Sequence, residues 1–209
     1  MDILVVGGHG KIARRLLKLL AAQGHTARGL IRNPAQAADL QAVGAVPVLG
    51  DIEAEDSLSA YVKGADAVVF AAGAGPGSGD ARKRTVDLAG ALKLADAAID
   101  QGVRRYVMIS TVGAEAPANR AYYEAKAEAD AYVTATGLDW TIVRPGSLTD
   151  EPGTGLVSTY RELGHRGRVT RDDVAAVLAA CLTTSSADTV GVTFELLEGT
   201  TPIDDALRF

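Results

Sequence analysis

The chain has one cysteine in 209 residues, Cys181, and therefore no internal disulfide, Cys-cluster metal site or thiol relay of its own. That scarcity suits a reducing interior. Cys181 lies in the apolar run 174–182, so it reads as a buried structural thiol rather than a nucleophile. No stretch approaches the ~20 apolar residues needed to cross a bilayer. Asp2 and a glycine turn stand where a signal peptide would carry a basic segment and an apolar core, so the expected location is the cytoplasm. Basic charge is also short: 21 Lys and Arg against 26 Asp and Glu give −5, which argues against a whole-surface grip on nucleic acid or an anionic membrane. The three histidines are scattered and no His-x-Glu or Cys pair exists, so no metal motif is present. Aromatic residues make up only 5%, and the core must be built from Ala, Val, Leu and Ile.

Glycine, by contrast, is abundant at 23 residues, and it punctuates a repeating rhythm. Residues 3–6 are an apolar run that stops at Gly7, and 11–23 follow with Ile12, Leu16, Leu19 and Leu20 at helical spacing. Strands are expected at 26–31, 45–49 and 67–71. Between them come a helix opened by Asn33-Pro34 and running to about Val43, and a short one over 55–63. A long helix at 80–101, a strand at 103–109, a helix at 119–136 and a strand at 140–143 continue the pattern. After residue 146 the texture becomes Gly-rich, which predicts loops and short strands, then a helix over 171–182, a strand over 192–197 and a short terminal helix. Strand and helix taking turns implies parallel strands with right-handed crossovers. The expected architecture is a single doubly wound α/β domain over 1–209, with 146–209 contributing a small substrate-side cap.

The first turn reads Gly7-Gly8-His9-Gly10-Lys11-Ile12-Ala13. Gly7 permits the tight turn, Gly10 lets a phosphate approach the backbone and Ala13 lets helix and strand pack closely, with free helix N–H groups facing a pyrophosphate. His9 is expected to contribute its backbone N–H rather than its ring. The second strand ends in Arg32-Asn33, where an acidic residue would have favoured an unphosphorylated ribose. A guanidinium matches phosphate oxygens, so NADP(H) is preferred over NAD(H), and Lys11 could add a second positive charge. The plainer reading leaves Arg32 as a solvated helix-start residue. Asp51, with Ile52 beside it, lies where an adenine edge could be met, or else caps a helix. Ala71, Ala72 and Gly73 are small residues where a ribose could lie on bare backbone.

Together with Gly7 to Ile12, Arg32-Asn33, Gly50-Asp51 and the Ala-Ala-Gly stretch, four further strings carry a family resemblance. They are Met108-Ile109-Ser110-Thr111-Val112-Gly113, Tyr122 to Lys126, Thr141-Ile142-Val143-Arg144-Pro145-Gly146 and Thr170-Arg171-Asp172-Asp173-Val174-Ala175. The chain resembles, from end to end, the atypical short-chain dehydrogenases/reductases with a bare NAD(P)-binding Rossmann domain, the NmrA-like and biliverdin-reductase-B-like group. The resemblance implies that Pro145, Gly146 and Ser147 line the nicotinamide end and that Ser110 and Thr111 lie under the cofactor.

Tyr122 and Lys126 have the i, i+4 spacing that stacks two side chains on one helix face. The resemblance implies general-acid work by the Tyr122 phenol, its pKa lowered by the ammonium and the cofactor, while Lys126 also holds the nicotinamide ribose. Ser110 completes the candidate catalytic set, although larger relatives carry their substrate-polarising hydroxyl about two positions on, where this chain has Val112. Arg82-Lys83-Arg84 is expected to be a solvated face near the crevice. Arg161, His165, Arg166 and Arg168 form either a solvated loop or a site for an anionic substrate. The function expected is an NADPH-dependent oxidoreductase of a small carbonyl, quinone or similar acceptor, as monomer or dimer. The alternative is an NADP(H) redox sensor acting through a protein partner. Nucleotide-sugar epimerisation is disfavoured, since only about 60 residues are left to hold a sugar nucleotide.

Overall fold

The computed structural model describes residues 1–75, 77–114, 121–184 and 187–209. Strand β1 (Asp2–Val6) pairs in parallel with β2 (Thr26–Ile31) on one side and β4 (Ala67–Phe70) on the other, with Val5 opposite both Gly29 and Val69. The parallel series runs on through β3 (Val46–Leu49) beyond β2, and through β5 (Arg105–Ile109) and β6 (Asp139–Pro145) beyond β4. This is the doubly wound order 3-2-1-4-5-6.

Because successive strand side chains point to opposite faces, β1 serves two cores. Ile3 and Val5 pack with Leu16, Leu17 and Leu20 of α1 (Lys11–Ala22). Leu4 and Val6 pack with Leu94 and Ala98 of α5 (Ala89–Asp100) and with Ala129 and Val133 of α6 (Ala121–Thr134). Helices on both faces explain why β1 and β4 carry continuous apolar runs. Val46 and Leu49 are exposed because β3 is the sheet edge.

Three expected helices differ in extent. The one expected from Asn33-Pro34 to about Val43 is a 3₁₀ turn, Pro34–Gln36, followed by a short α2 (Ala37–Gln41). The predicted helix at 55–63 is only α3 (Ser59–Val62), since Asp51 first folds the chain into a turn: its Oδ1 accepts the Glu53 N–H and its carbonyl accepts those of Ala54 and Glu55. The predicted helix over 80–101 is continuous in sequence but changes type along its length. A short α4 (Asp80–Arg82) passes into a π-helical segment, Lys83–Leu88, before α5. Such insertions re-aim side chains and recur at functional sites.

Residues beyond 146 do more than cover the strand ends. Helix α7 (Arg171–Leu182) fills the layer beside α1, and its Cys181 is buried, with the thiol pushed up to about 12 by burial. Strands β7 (Ser147–Thr149) and β9 (Arg168–Thr170) make a separate two-stranded sheet. Antiparallel β8 (Leu156–Tyr160) follows β10 (Val192–Glu198), which is itself the seventh parallel strand beside β6. The short β11 (Thr201–Pro202) and α8 (Ile203–Ala206) close the chain at the β8 edge. Among the described residues, no helix is long and apolar enough to cross a membrane.

Candidate functional site

The glycine turn after β1 is fixed by contacts that allow no side chain. Gly7 has φ +82°, and a Cβ there would lie 2.7 Å from Ala72 Cα. At Gly8 a Cβ would lie 2.8 Å from Gly29 Cα. The Gly8 N–H donates to the Leu30 carbonyl, which ties the turn to the end of β2. Helix α1 then starts at Gly10 with no side-chain cap hydrogen bond among the described residues and no acidic residue in its first turn. Its first N–H groups and the positive end of its dipole open at the strand ends.

Beside this turn lies a cavity of about 350 Å³. Gly7, His9, Gly10, Arg32, Asp51, Ile52, Ala71, Ala72 and Gly73 all border it, so half of the residues expected to bind cofactor share one wall. The others lie elsewhere. The Asn33 side chain caps the next turn, accepting the Ala35 N–H at 3.0 Å. The Lys11 ammonium is not beside Arg32 but on Asp150 at 2.7 Å, in a group with Arg15 and Arg171. The His9 ring bonds Asp39 at 2.7 Å, which holds that carboxyl below its ordinary range. Ile12 is half-buried against the core.

Arg82 lies at the crevice, as expected of the Arg-Lys-Arg run, but it is ion-paired rather than simply solvated. It borders the cavity, and its Nη2 lies 2.6 Å from Glu53 Oε2. Arg84 is at the surface, paired with Glu128. Hydrogen bonds from Arg82 and then Thr85 hold the Glu53 carboxyl below its ordinary range. In the downstream basic cluster, Arg168 pairs with Glu198 in an exposed contact at 2.9 Å.

The candidate catalytic residues occupy an adjoining, buried region. Lys126 is 5% exposed, donates to the Ile109 carbonyl at 3.1 Å and lies 3.5 Å from Asp87. Burial lowers its pKa against the pull of Asp87. Ser110 donates to Asp130 Oδ2 at 2.9 Å, and the same oxygen accepts from Arg144 Nε at 2.9 Å. Burial raises the Asp130 pKa even so. Tyr122 is half-buried, with the Lys83 ammonium 5.3 Å from its ring centroid. The resemblance implies a phenol lowered by the Lys126 ammonium and a bound cofactor together; the protein's own groups act the other way. Burial first, and the charge of Asp87 second, push it up to about 12. Thr111 is half-buried beside it. Pro145, Gly146 and Ser147 are placed by backbone bonds, Val112 N–H to Pro145 O, Gly146 N–H to Leu196 O and Ser147 N–H to Gly167 O.

Asp87, Asp130, Arg144 and Glu53 are site residues that reading the sequence for candidate side chains did not single out. Asp130 had a signal: it is four residues beyond Lys126, which is four beyond Tyr122, so all three share a helix face. Asp87 is a lone acid between Val86 and Leu88, with Ala89 and Gly90 following.

The donors fit a dinucleotide: a helix start with no side-chain cap among the described residues, small residues at Gly7, Gly10, Ala71, Ala72 and Gly73, and a cationic rim at Arg32 and Arg82. A family described as NAD(P)H-binding matches residues 7–185. The chain is 40% identical to the uncharacterised sugar epimerase YhfK of Bacillus subtilis, over 100% of this chain and 99% of that one. Among solved structures, a Bacillus halodurans protein provisionally assigned as an NAD-dependent epimerase/dehydratase is 39% identical, with TM-score 0.92 over 99% and 98% of the two chains. The oxidoreductase ylbE of Lactococcus lactis is 30% identical, with TM-score 0.86 over 99% and 95%. With its Rossmann fold and this glycine turn, the chain belongs to the NAD(P)H-binding family.

Proposed function

We propose that this protein binds NADP(H) in preference to NAD(H) and uses it, in the cytoplasm, to reduce a small carbonyl, quinone or similar acceptor. The observation that carries the reading is Arg32, a half-exposed guanidinium at the cavity rim just past β2, where a ribose 2′-phosphate would lie. The α1 N-terminus would take the pyrophosphate, Asp51 and Ile52 the adenine, and the Ala71, Ala72 and Gly73 backbone the adenosine ribose. When bound, the nicotinamide supplies the hydride chemistry. Tyr122 keeps its phenol proton at neutral pH and can give it to a developing alkoxide.

A nucleotide-sugar role, suggested by the names of two relatives, has less support in the architecture. Beyond residue 146, α7 packs beside α1 and the strands β8, β10 and β11 extend the main sheet. That leaves β7, β9 and their loops to enclose a substrate.

One observation favours a second reading, a redox sensor that signals to a protein partner. Lys126 and Ser110 are tied to Asp87 and Asp130. A single experiment separates the two readings. Wild type and Arg32→Ala are titrated with NADPH and NADH, and NADPH oxidation is then followed with a panel of carbonyls and quinones. NADPH preference that falls roughly tenfold in Arg32→Ala, with turnover of at least one acceptor, is expected. Equal binding of both cofactors removes the phosphate assignment, and binding without any turnover favours the sensor.

A further inference from the structure

The cavity holds a second guanidinium besides that of Arg32. Arg82 enters the wall from α4, and both groups converge on one atom: Glu53 Oε2 lies 2.6 Å from Arg82 Nη2 and 3.4 Å from Arg32 Nη1. The two cations are held unequally. Arg82 also meets the other carboxylate oxygen through Nε at 3.4 Å, and the Thr85 hydroxyl donates to that oxygen at 2.7 Å. Glu53 is itself fixed, since its N–H donates to Asp51 Oδ1 at 2.9 Å. Among the described residues Arg32 has one long contact, and its side chain is 56% exposed against 37% for Arg82.

We propose that Arg82 is a second ligand of the 2′-phosphate of NADP(H). Glu53 is the positioning residue that aims it, and also the internal anion that Arg32 exchanges for the phosphate. The inference rests on the NADP(H) reading above. An anionic oxygen already sits where the two guanidinium groups meet, so the geometry needed to hold a phosphate oxygen between them exists in the fold. A dianionic phosphate attracts Arg32 more strongly than one long, half-exposed contact with a carboxylate. Arg82 stays clamped by Glu53, which Thr85 holds in place, while Arg32 moves. Glu53 opposes the dianion, so removing its charge should tighten phosphate binding.

The test is calorimetric titration of wild type, Arg32→Ala, Arg82→Ala and Glu53→Gln with 2′,5′-ADP and 5′-AMP, probes that differ in the 2′-phosphate. Arg82→Ala is expected to weaken 2′,5′-ADP roughly tenfold while 5′-AMP changes less than about twofold. Glu53→Gln keeps an amide oxygen to aim Arg82 while removing the opposing charge, so it is expected to tighten 2′,5′-ADP with no gain for 5′-AMP. Wild type that binds both probes alike removes the phosphate preference, and this inference with it. A preference that falls in Arg32→Ala but is intact in Arg82→Ala leaves the NADP(H) reading standing and overturns the role of Arg82, as does an equal loss of both probes in Arg82→Ala. Weaker 2′,5′-ADP binding in Glu53→Gln overturns the exchange.

Discussion

Asp87 and Lys126 form an ion pair at 3.5 Å in which the carboxylate is 1% and the ammonium 5% exposed. The second oxygen of Asp87 accepts the Ala74 N–H at 3.0 Å, and Lys126 donates to the Ile109 carbonyl. One charge pair therefore ties together the loop after β4, the π-helical segment, α6 and the end of β5. The cavity wall and the candidate catalytic helix share this tie, because Ala74 borders the cavity. A shift of α6 is thereby coupled to the wall that would carry a ribose.

Asp87→Asn keeps an acceptor for Ala74 but strands the Lys126 ammonium, and breaking a buried pair from one side costs about 3–5 kcal/mol. Denaturant unfolding at neutral pH reads this directly. The pH dependence has a definite sign. Burial holds Lys126 below its ordinary 10.5, and Asp87 is the largest cause acting the other way, so the substitution lowers it further. A lysine that loses its proton earlier in the folded than in the unfolded chain makes stability rise with pH across the gap. The deficit of the variant should shrink as pH rises toward about 10. A deficit independent of pH would mean that Lys126 is not the group left stranded.

Gly7→Ala and Gly8→Ala separate conformation from space. Both place a Cβ against backbone, at 2.7 Å and 2.8 Å, but only Gly7 also has a positive φ, +82°. Each variant should lose cofactor binding, and Gly7→Ala should be the less stable by roughly 1 kcal/mol, the cost of a non-glycine residue in the left-handed region. Thermal melts with a cofactor titration check both parts.

Ser110 and Asp130 can be told apart as structural or chemical by a double-mutant cycle. The Ser110 hydroxyl and Arg144 Nε both bond Asp130 Oδ2 at 2.9 Å, so the three side chains form one buried network. Ser110→Ala and Asp130→Asn should be non-additive in unfolding free energy by roughly 0.5–3 kcal/mol. If Ser110 only holds Asp130, kcat with a working acceptor should follow stability and KM should not move. A kcat loss in Ser110→Ala without loss of stability would give the hydroxyl a chemical role.

The parts of this protein that could be read from its sequence are those set by backbone demands. The turn at Gly7, the apolar β1 and β4 and the exact span of α7 follow from local spacing and glycine placement. The buried charges were not legible in that way. Asp87 is aimed by the π-helical register of Lys83–Leu88, which no 3.6-residue periodicity anticipates. The partner of Arg82, Glu53, is 29 positions away and is placed by a turn at Asp51, a residue that reads from sequence as an adenine contact or a helix cap. Lys11 reaches Asp150 across 139 positions, a contact only the tertiary fold makes.

The last consequence concerns Tyr122. A phenol pushed up to about 12 by burial and by Asp87 is neutral across the whole neutral range, the state a proton donor needs and a base does not. Reduction of a carbonyl by NADPH should therefore show no alkaline limb from Tyr122 below about pH 10 in kcat/KM. Oxidation in the reverse direction, which needs the phenolate, should instead climb steadily with pH. Asp87→Asn removes one of the causes that raise the phenol, so in that variant the alkaline limb should move to lower pH. Tyr122→Phe should cut reductive kcat by about 10²–10⁴ with the NADPH Kd unchanged, the loss usual for a missing general acid. Undiminished turnover in Tyr122→Phe would show that the proton reaches the product from another group, and the pH profile of that variant would identify its class.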